Sequence, residues 1–482
     1  MVHFTPLFID GQETPASDNA TFEVFNTTKS SVVGTSASAS SADCKAAVEA
    51  AGRAFKTWEK TTPWFRRDLF LKVADLVASD AWRDLIVQTT VEETGCIPGW
   101  AWGNWSLLAS MLRAAASSAN DLTGTTFPSS TGGQCVMERR AMGVVFAIVP
   151  WNAPVALALR AIAVPIICGN TVVLKSSEFS PRSHALVVQL FHEAGLPNGV
   201  LNCISMSRET AGVLTAEVIA HPLVRKINFT GGDRVGRIIA TEAAKHLKPV
   251  VLELGGNAAA VVLEDASIED AANAIVYGAM MHSGQICMST ERVIVQRAVA
   301  DTLVAQIKTL SEKLTVGTEE SVNLRPVFTE SSAANILAAI SEAQAAGAKV
   351  VSGDLTRHGA LLRPHLVTGV KPGMRLWECE SFGPVLAFAV VDTPEEAVEL
   401  ANASEYSLTA ALWTSDMSKA QRIAPLIRAG YVNVNGLTVH NEPFIGVAGL
   451  GGTSGYGNFH VDDFTDKRVV VTHPLGQQFA FQ

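Results

Sequence analysis

The 482-residue sequence lacks long apolar runs and clusters of positive charge. Its most apolar windows, 144–150 and 161–168, are well short of the ~20 residues that a membrane-spanning helix needs. Lys and Arg number 37 against 46 Asp and Glu, the formal charge is -9, and no run of five basic residues occurs. We therefore expect a globular protein that binds neither membranes nor nucleic acid.

Cysteine is also scarce, with seven residues scattered along the chain and no CxxC pair. This distribution argues against a disulfide scaffold and against a structural zinc site, and it favours a reducing compartment. The first residues have neither the basic start nor the continuous apolar stretch of a secretory signal. The sequence therefore predicts a cytoplasmic protein without a metal centre.

Four common signatures are missing, namely GxGxxG, GxxxxGK[ST], HExxH and GxSxG. Instead, residues 41–119 show helical periodicity, and short apolar runs alternate with helical segments from residue 143 to about 450. This alternation is typical of doubly wound parallel sheets and predicts an α/β fold. We expect one α/β domain from 1–120 and 142–254 and a second from 255–455.

Two β-prone segments, 121–141 and 462–482, are far apart in sequence and belong to no predicted core. Segments of this kind are available to pair with another subunit. They predict an oligomerisation arm and a homodimer or homotetramer.

Six turns of small residues each carry a polar side chain, and the pattern places each turn after a strand. They are Pro150-Trp-Asn152, Lys175-Ser-Ser-Glu178, Phe229-Thr-Gly-Gly232, Glu253-Leu-Gly-Gly256, Gly284-Gln-Ile-Cys287 and Glu380-Ser-Phe-Gly-Pro384. Open α/β sheets bind ligands at the carboxyl ends of their strands, so we expect these turns to form one site.

These signatures, in this order and over essentially the whole chain, resemble the aldehyde dehydrogenase superfamily, most of all its salicylaldehyde, vanillin and benzaldehyde dehydrogenases. The resemblance implies two Rossmann-type α/β domains, of which the first binds NAD and the second is catalytic, plus a β oligomerisation arm. It also implies NAD-dependent oxidation of an aldehyde to its carboxylic acid through a thioester on a cysteine.

By this resemblance, Cys287 is the nucleophile, because a thiolate attacks a carbonyl well and the thiohemiacetal can then expel hydride. Asn152, with the backbone N–H of Cys287, would stabilise the oxyanion. Glu253 would act as the general base that activates water. Taken singly, each has a structural alternative: a buried thiol, an Asn that turns the chain, or a helix cap.

The resemblance also assigns residues to the dinucleotide. A carboxylate at Glu178 would accept from the ribose 2′-hydroxyl and repel a 2′-phosphate, which favours NAD over NADP. Glycines that open a helix would present N–H groups to the pyrophosphate, although each could be a plain turn former. The full set is Pro150, Trp151, Lys175, Glu178, Gly231, Gly232, Gly236, Leu254, Gly255, Glu380 and Phe382.

The substrate is expected to be an aromatic aldehyde, because Ala153 leaves room for a ring, and because Arg160 and the segment 435–442 resemble the aromatic subgroup. Arg160 would orient a phenolic or carboxylate oxygen, or pair with Glu253 or a backbone carbonyl. The large apolar candidates fit a core role equally well. The proposed pocket residues are Arg160, Ala153, Ile286, Met288, Phe444 and Trp100.

Three departures from the family pattern keep alternatives open. Gly232 replaces the usual Ser, Asn257 replaces the usual Lys, and the 447–452 loop differs from Pro-Phe-Gly-Gly. The alternatives are an enzyme for an aliphatic or secondary-metabolite aldehyde, or a catalytically weak scaffold homologue. A coenzyme-A-acylating relative would generally lack a base at the Glu253 position.

Overall fold

The structure, a computed structural model, describes residues 3–443, 446 and 448–477. Its strands are β1 (His3–Thr5), β2 (Leu7–Ile9), β3 (Gln12–Thr14), β4 (Thr21–Asn26), β5 (Ser31–Ala37), β6 (Thr125–Pro128), β7 (Gln134–Ala141), β8 (Val144–Ile148), β9 (Thr171–Lys175), β10 (Leu201–Ile204), β11 (Val224–Thr230), β12 (Val250–Glu253), β13 (Ala258–Val262), β14 (Thr290–Gln296), β15 (Lys349–Ser352), β16 (His365–Thr368), β17 (Val385–Val391), β18 (Thr409–Trp413), β19 (Tyr431–Val434), β20 (Gly455–Tyr456) and β21 (Thr465–Thr472).

The α-helices are α1 (Ser41–Trp58), α2 (Pro63–Val77), α3 (Asp80–Thr94), α4 (Pro98–Ser117), α5 (Pro154–Ile167), α6 (Pro181–Glu193), α7 (Ala211–Ala220), α8 (Asp233–Lys245), α9 (Ile268–Met280), α10 (Arg297–Glu312), α11 (Glu330–Ala345), α12 (Arg375–Glu378), α13 (Pro394–Asn402) and α14 (Met417–Ile423). Within the described ranges, no helix combines the length and the apolar character needed to cross a bilayer.

Two mainly parallel sheets dominate the molecule. The first has the strand order β20-β12-β11-β8-β9-β10-β2-β3, and the second has the order β15-β16-β17-β14-β13-β18-β19. In the first sheet the chain moves outward from β8 to β10 and then returns to the other side of β8 with β11, so the strand order reverses between β8 and β11. Such a reversal opens a crevice at the carboxyl ends of the two strands.

Both faces of each sheet are covered by helices, as in a doubly wound fold. Val145 and Ala147 belong to one apolar cluster and Phe146 to another, because neighbouring side chains of a strand point to opposite faces. The second sheet alternates in the same way between two further clusters. Strands buried on both faces are continuous apolar runs, which explains why the sequence pattern located them. The predicted α/β fold is confirmed.

The segments predicted to form an arm pair with each other. Strands β21, β7 and β6 make an antiparallel sheet in which Thr465–Thr472 runs beside Gln134–Ala141. Val469, Val470 and Phe127 of this sheet are exposed. Because the consecutive Val469 and Val470 point to opposite faces, both faces of the sheet carry exposed apolar side chains.

Candidate active site

Four neighbouring strands of the first sheet, β12, β11, β8 and β9, end side by side, and three of them end in a polar residue. Lys175 ends β9 in register with Ile148 of β8, and Thr230 ends β11 in register with Glu253 of β12. Asn152 follows β8 within four residues. The turns at these ends therefore meet at the reversal of strand order, where the sequence predicted them.

The turns that carry Cys287 and Glu380 are different, and the expectation that they follow strands is wrong. Cys287 follows α9 and precedes β14, while Glu380 follows α12 and precedes β17. Cys287 and Glu380 therefore lie at the amino edge of the second sheet. The connection 254–257 leads from the carboxyl end of β12 in the first sheet to the start of β13, which lies at the same amino edge of the second sheet. The site thus lies between the carboxyl edge of one sheet and the amino edge of the other.

The loop before Cys287 has an unusual backbone. His282, Ser283 and Gly284 all have left-handed φ angles, of 51°, 56° and 76°. Two successive non-glycine residues in this region persist only where the surroundings fix them. Ser283 Oγ donates to the carbonyl of Arg325 at 2.7 Å, and Ser289 Oγ donates to the carbonyl of Gly284 at 3.1 Å. These contacts fix the position of this loop, which is called the nucleophile loop because it carries Cys287, the predicted nucleophile.

Cys287 is half-buried beside Gly256, where a side chain would overlap its carbonyl oxygen. Burial, and then the charge of Glu253, raise the pKa of the Cys287 thiol well above its ordinary range, whereas the charge of Arg160 lowers it. The resting side chain is therefore a thiol that needs a nearby proton acceptor to become a nucleophile.

Glu253 is almost fully buried and forms an ion pair with Arg160 of α5, at 2.5 Å between Oε2 and Nη2. The same Nη2 donates to Thr230 Oγ1 at 3.0 Å, and the guanidinium lies 4.5 Å from the centre of the Phe459 ring. Within the described residues, Glu253 Oε1 has no hydrogen-bond partner. No helix begins directly after β12, so the alternative that Glu253 is a helix cap is wrong.

Asn152 is held by hydrogen bonds on both sides. Its Nδ2 donates to the carbonyl of Gln285 at 2.9 Å, and its own carbonyl accepts from Trp100 Nε1 at 2.9 Å. Gln285 Nε2 donates in turn to the carbonyl of His282 at 3.0 Å, and the His282 ring stacks on Trp100 at 5.2 Å. These contacts form a closed ring of four residues that links the Asn152 amide to the nucleophile loop.

Aromatic side chains surround this ring. Trp100 and His282 are stacked with an angle of 12°, Trp151 stacks on Phe328 at 3.7 Å, and Trp151 also meets the edge of Phe382 at 6.3 Å. Burial lowers the pKa of His282 to about 3, so its ring is neutral. A flat apolar molecule would find matching surfaces here.

The residues assigned to the dinucleotide lie along the same crevice. The ammonium of Lys175 is buried, and among the described residues it donates only to the carbonyl of Ser176, at 3.2 Å. Its remaining N–H donors suit ribose hydroxyls, and Glu178 lies close enough for its charge to affect the pKa of Lys175. Gly232 precedes α8 without a side-chain cap, which leaves helix N–H groups for an anion. These features fit a dinucleotide.

Glycines allow the turn after β12 to lie close to α8 and to the loop that carries Glu380. A side chain on Gly236 would overlap Leu254, and one on Gly255 would overlap the carboxylate of Glu380. Glu380 Oε1 also accepts from the N–H of Gly256 at 2.9 Å. Burial raises the pKa of Glu380 well above its ordinary range. Gly236, Leu254, Gly255 and Glu380, which the sequence assigned to the dinucleotide, therefore lie close together.

The other predicted pocket residues differ in how far they are buried. Ala153 and Ile286 are buried, Met288 is half-buried, and Phe444 lies outside the described residues. The sequence reading missed Thr230, Gln285, His282, Phe328 and Glu291. Of these residues, only Glu291 could have been recognised from the sequence, because a charged residue within a buried apolar strand needs a partner.

Comparison with known proteins agrees with this geometry. The aldehyde dehydrogenase family model matches residues 14–472. The chain is 43% identical over 477 residues to the vanillin dehydrogenase of Pseudomonas fluorescens, covering 97% of each protein. It is 40% identical over 488 residues to the salicylaldehyde dehydrogenase of Pseudomonas putida, covering 99% of this chain and all of the relative.

The crystal structure of a salicylaldehyde dehydrogenase from Pseudomonas putida, complexed with salicylaldehyde, superposes with a TM-score of 0.96 at 38% identity. The match covers 99% of this chain and 100% of that one. Solved relatives include both NAD-dependent and NADP-dependent enzymes. The chain therefore belongs to the aldehyde dehydrogenase family, whose members oxidise aldehydes with NAD or NADP.

Proposed function

We propose that this enzyme oxidises an aromatic aldehyde to its carboxylic acid with NAD as the hydride acceptor. The observation that carries the proposal is the convergence of Cys287, Glu253, Arg160 and Asn152 beside a wall of stacked aromatic rings. The relatives named for vanillin and salicylaldehyde support the aromatic substrate.

In the first step, Cys287 transfers its proton to Glu253 and its sulfur attacks the aldehyde carbon. The second N–H of the Asn152 amide and the backbone N–H of Cys287 donate to the oxygen that becomes negative. Loss of hydride from the thiohemiacetal leaves a thioester on Cys287. The dinucleotide, when bound, would supply the hydride acceptor.

Before the second step, Glu253 loses the proton that it took from Cys287. It then removes a proton from water, and the hydroxide attacks the thioester. The carbon–sulfur bond breaks, the carboxylic acid leaves, and the sulfur takes the proton from Glu253, which regenerates the Cys287 thiol. Glu253 Oε1, which has no partner among the described residues, is the atom available to take both protons. Arg160 Nη2 holds the other oxygen, Oε2, in place.

The aromatic substrate is tested by steady-state NADH formation with salicylaldehyde, vanillin, benzaldehyde and hexanal. We expect kcat/KM to be at least about fivefold higher for the aromatic aldehydes, as burial of a ring against stacked aromatics gives roughly 1 kcal/mol or more. A preference for hexanal would favour the aliphatic alternative, and no turnover with any aldehyde would favour the scaffold alternative.

NAD preference rests on Glu178, whose carboxylate would repel a 2′-phosphate. The wild type should have a higher kcat/KM with NAD than with NADP, and Glu178→Gln should reduce that ratio. An unchanged ratio would remove this role of Glu178.

The assembly and the domain boundaries are also proposals. The apolar side chains exposed on the arm sheet, Val469 and Val470 among them, are about half exposed in the single chain, at 53% and 57%. We propose that they pack against another subunit in a homodimer or homotetramer. Light scattering coupled to size exclusion tests this, and a monomer would contradict it. The division at residues 120, 142, 254 and 455 and the cytoplasmic location stay predictions.

A further inference from the structure

Glu291, the second residue of β14, has a buried carboxylate that faces a loop and not solvent. It accepts hydrogen bonds from two successive backbone N–H groups, those of Ser381 at 3.1 and 2.8 Å and of Phe382 at 3.0 Å. Hydrogen bonds to an ionised acceptor are stronger than neutral ones. Within the described residues, every hydrogen bond of this carboxylate goes to that loop.

We propose that Glu291 is a positioning residue that sets the conformation of the loop from Glu380 to Phe382 and, through it, the affinity for the nicotinamide end of the cofactor. The cofactor part of this inference rests on the proposed function and on the family resemblance, which implies that Glu380 holds the nicotinamide ribose. The loop part rests on contacts within the chain alone.

The loop has a backbone that needs such support. Phe382 has a left-handed φ of 50°, which a bulky residue adopts only where its surroundings fix it. On the other side, Asn257 Nδ2 donates to the carbonyls of Trp377 at 3.0 Å and Cys379 at 3.4 Å. Glu291 contacts the residues that follow Glu380, namely Ser381 and the strained Phe382.

Burial of the Glu291 carboxylate in β14 also carries a desolvation cost in free energy. Further along β14, Val293 to Val295 are buried and apolar, and burial raises the pKa of Glu291 to about 7 although the charge of the adjacent Arg292 lowers it. The charge of Glu291 in turn raises the pKa of Glu380. An apolar residue would pack in the strand without this cost, so the contacts to the loop are what offset it.

The loop part is tested by hydrogen–deuterium exchange of the full-length enzyme without cofactor. Glu291→Gln keeps the size of the side chain but places an NH2 group opposite one of the two N–H donors. We expect exchange of the Ser381 and Phe382 amides to accelerate by about tenfold or more, the value of one lost hydrogen bond. Unchanged exchange at these amides would overturn the proposal.

Glu93→Gln is the matched control, because this buried carboxylate likewise accepts from two successive N–H groups, those of Arg182 and Ser183, at 2.8 and 2.7 Å. Its exchange should accelerate at 182–183 and not at 381–382. Acceleration at 381–382 in this control as well would show a general loosening and would overturn a specific role of Glu291.

The cofactor part is tested by fluorescence titration of the same variant with NADH and with AMP, which lacks the nicotinamide half. We expect Glu291→Gln to weaken NADH binding by about tenfold and to leave AMP binding unchanged. Equal affinity for NADH, with accelerated exchange, would overturn the link to the cofactor. Neither measurement needs turnover, so an enzyme inactive on all aldehydes would refute the proposed function without affecting this result.

Discussion

The ion pair between Arg160 and Glu253 is buried, and breaking it should lower the free energy of unfolding more than breaking an exposed pair. The side chains are 15% and 1% exposed, and the charged atoms are 2.5 Å apart. Arg160→Met keeps most of the volume and the contact with Phe459 but leaves the Glu253 carboxylate without its cation. Removing one partner of a buried pair costs about 3–5 kcal/mol, and because water reaches part of Arg160 we expect the lower end, about 3 kcal/mol.

This cost can be converted into a shift of the melting midpoint. At about 2.1 cal/mol/K per residue, unfolding of all 482 residues has an entropy of about 1 kcal/mol/K. The midpoint of Arg160→Met should therefore fall by about 3 °C if the whole chain unfolds as one unit, and by about 6 °C if half of it does. Differential scanning calorimetry at a fixed protein concentration measures the shift.

The double variant is the decisive comparison. Adding Glu253→Gln to Arg160→Met replaces the uncompensated charge with a neutral amide, so the double variant should be more stable than Arg160→Met alone. Arg297→Met is the control, because its pair with Asp392 has the same 2.5 Å separation but side chains that are 67% and 60% exposed. It should move the midpoint by no more than about 1 °C. A double variant no more stable than Arg160→Met would refute the reasoning.

Three further predictions concern the chemistry. Asn152→Ala should lower kcat roughly 10²–10³-fold with little change in KM, as measured by steady-state NADH formation, and a loss below threefold would exclude Asn152 as an oxyanion donor. Glu253→Gln should lower turnover about 10²–10⁴-fold and should also slow the stopped-flow burst of NADH, because Glu253 takes the proton of Cys287 before it activates water, whereas a burst at the wild-type rate would limit its role to the thioester step. The raised pKa of Cys287 means that the thiolate fraction grows as pH rises, so alkylation by iodoacetamide without cofactor should accelerate about tenfold per pH unit up to at least pH 9, and a plateau near neutral pH would contradict the raised pKa.

The sequence predicted the strands well because most of them are continuous apolar runs. For example, β17 and β18 are apolar runs that span residues 385–391 and 409–413. It placed Cys287 and Glu380 on the wrong side of their strands, since a parallel strand has a polar turn at each end and local composition does not reveal which end faces the ligand. The direction became evident only when both sheets were seen to share one cleft.

The contacts that complete the site were beyond the sequence pattern for a different reason. Phe328 stacks on Trp151 from 177 positions away, and His282 takes a left-handed backbone without a glycine to indicate it. Such contacts depend on tertiary packing, which no local propensity encodes. The catalytic candidates were accessible because their signatures are local turns, whereas the residues that hold them are not.

The charges around Cys287 have a consequence for the order of events. With Glu253 ionised, its charge opposes a second negative charge on the thiol, and Arg160 offsets only part of that repulsion. Thiolate formation is therefore coupled to the transfer of a proton to Glu253, which removes the opposing charge at the moment when the nucleophile forms. The carboxylate must then lose this proton before it can activate water for the thioester. Because its Oε1 is the oxygen not engaged by Arg160, the same atom can take up and release the proton while the ion pair through Oε2 remains intact.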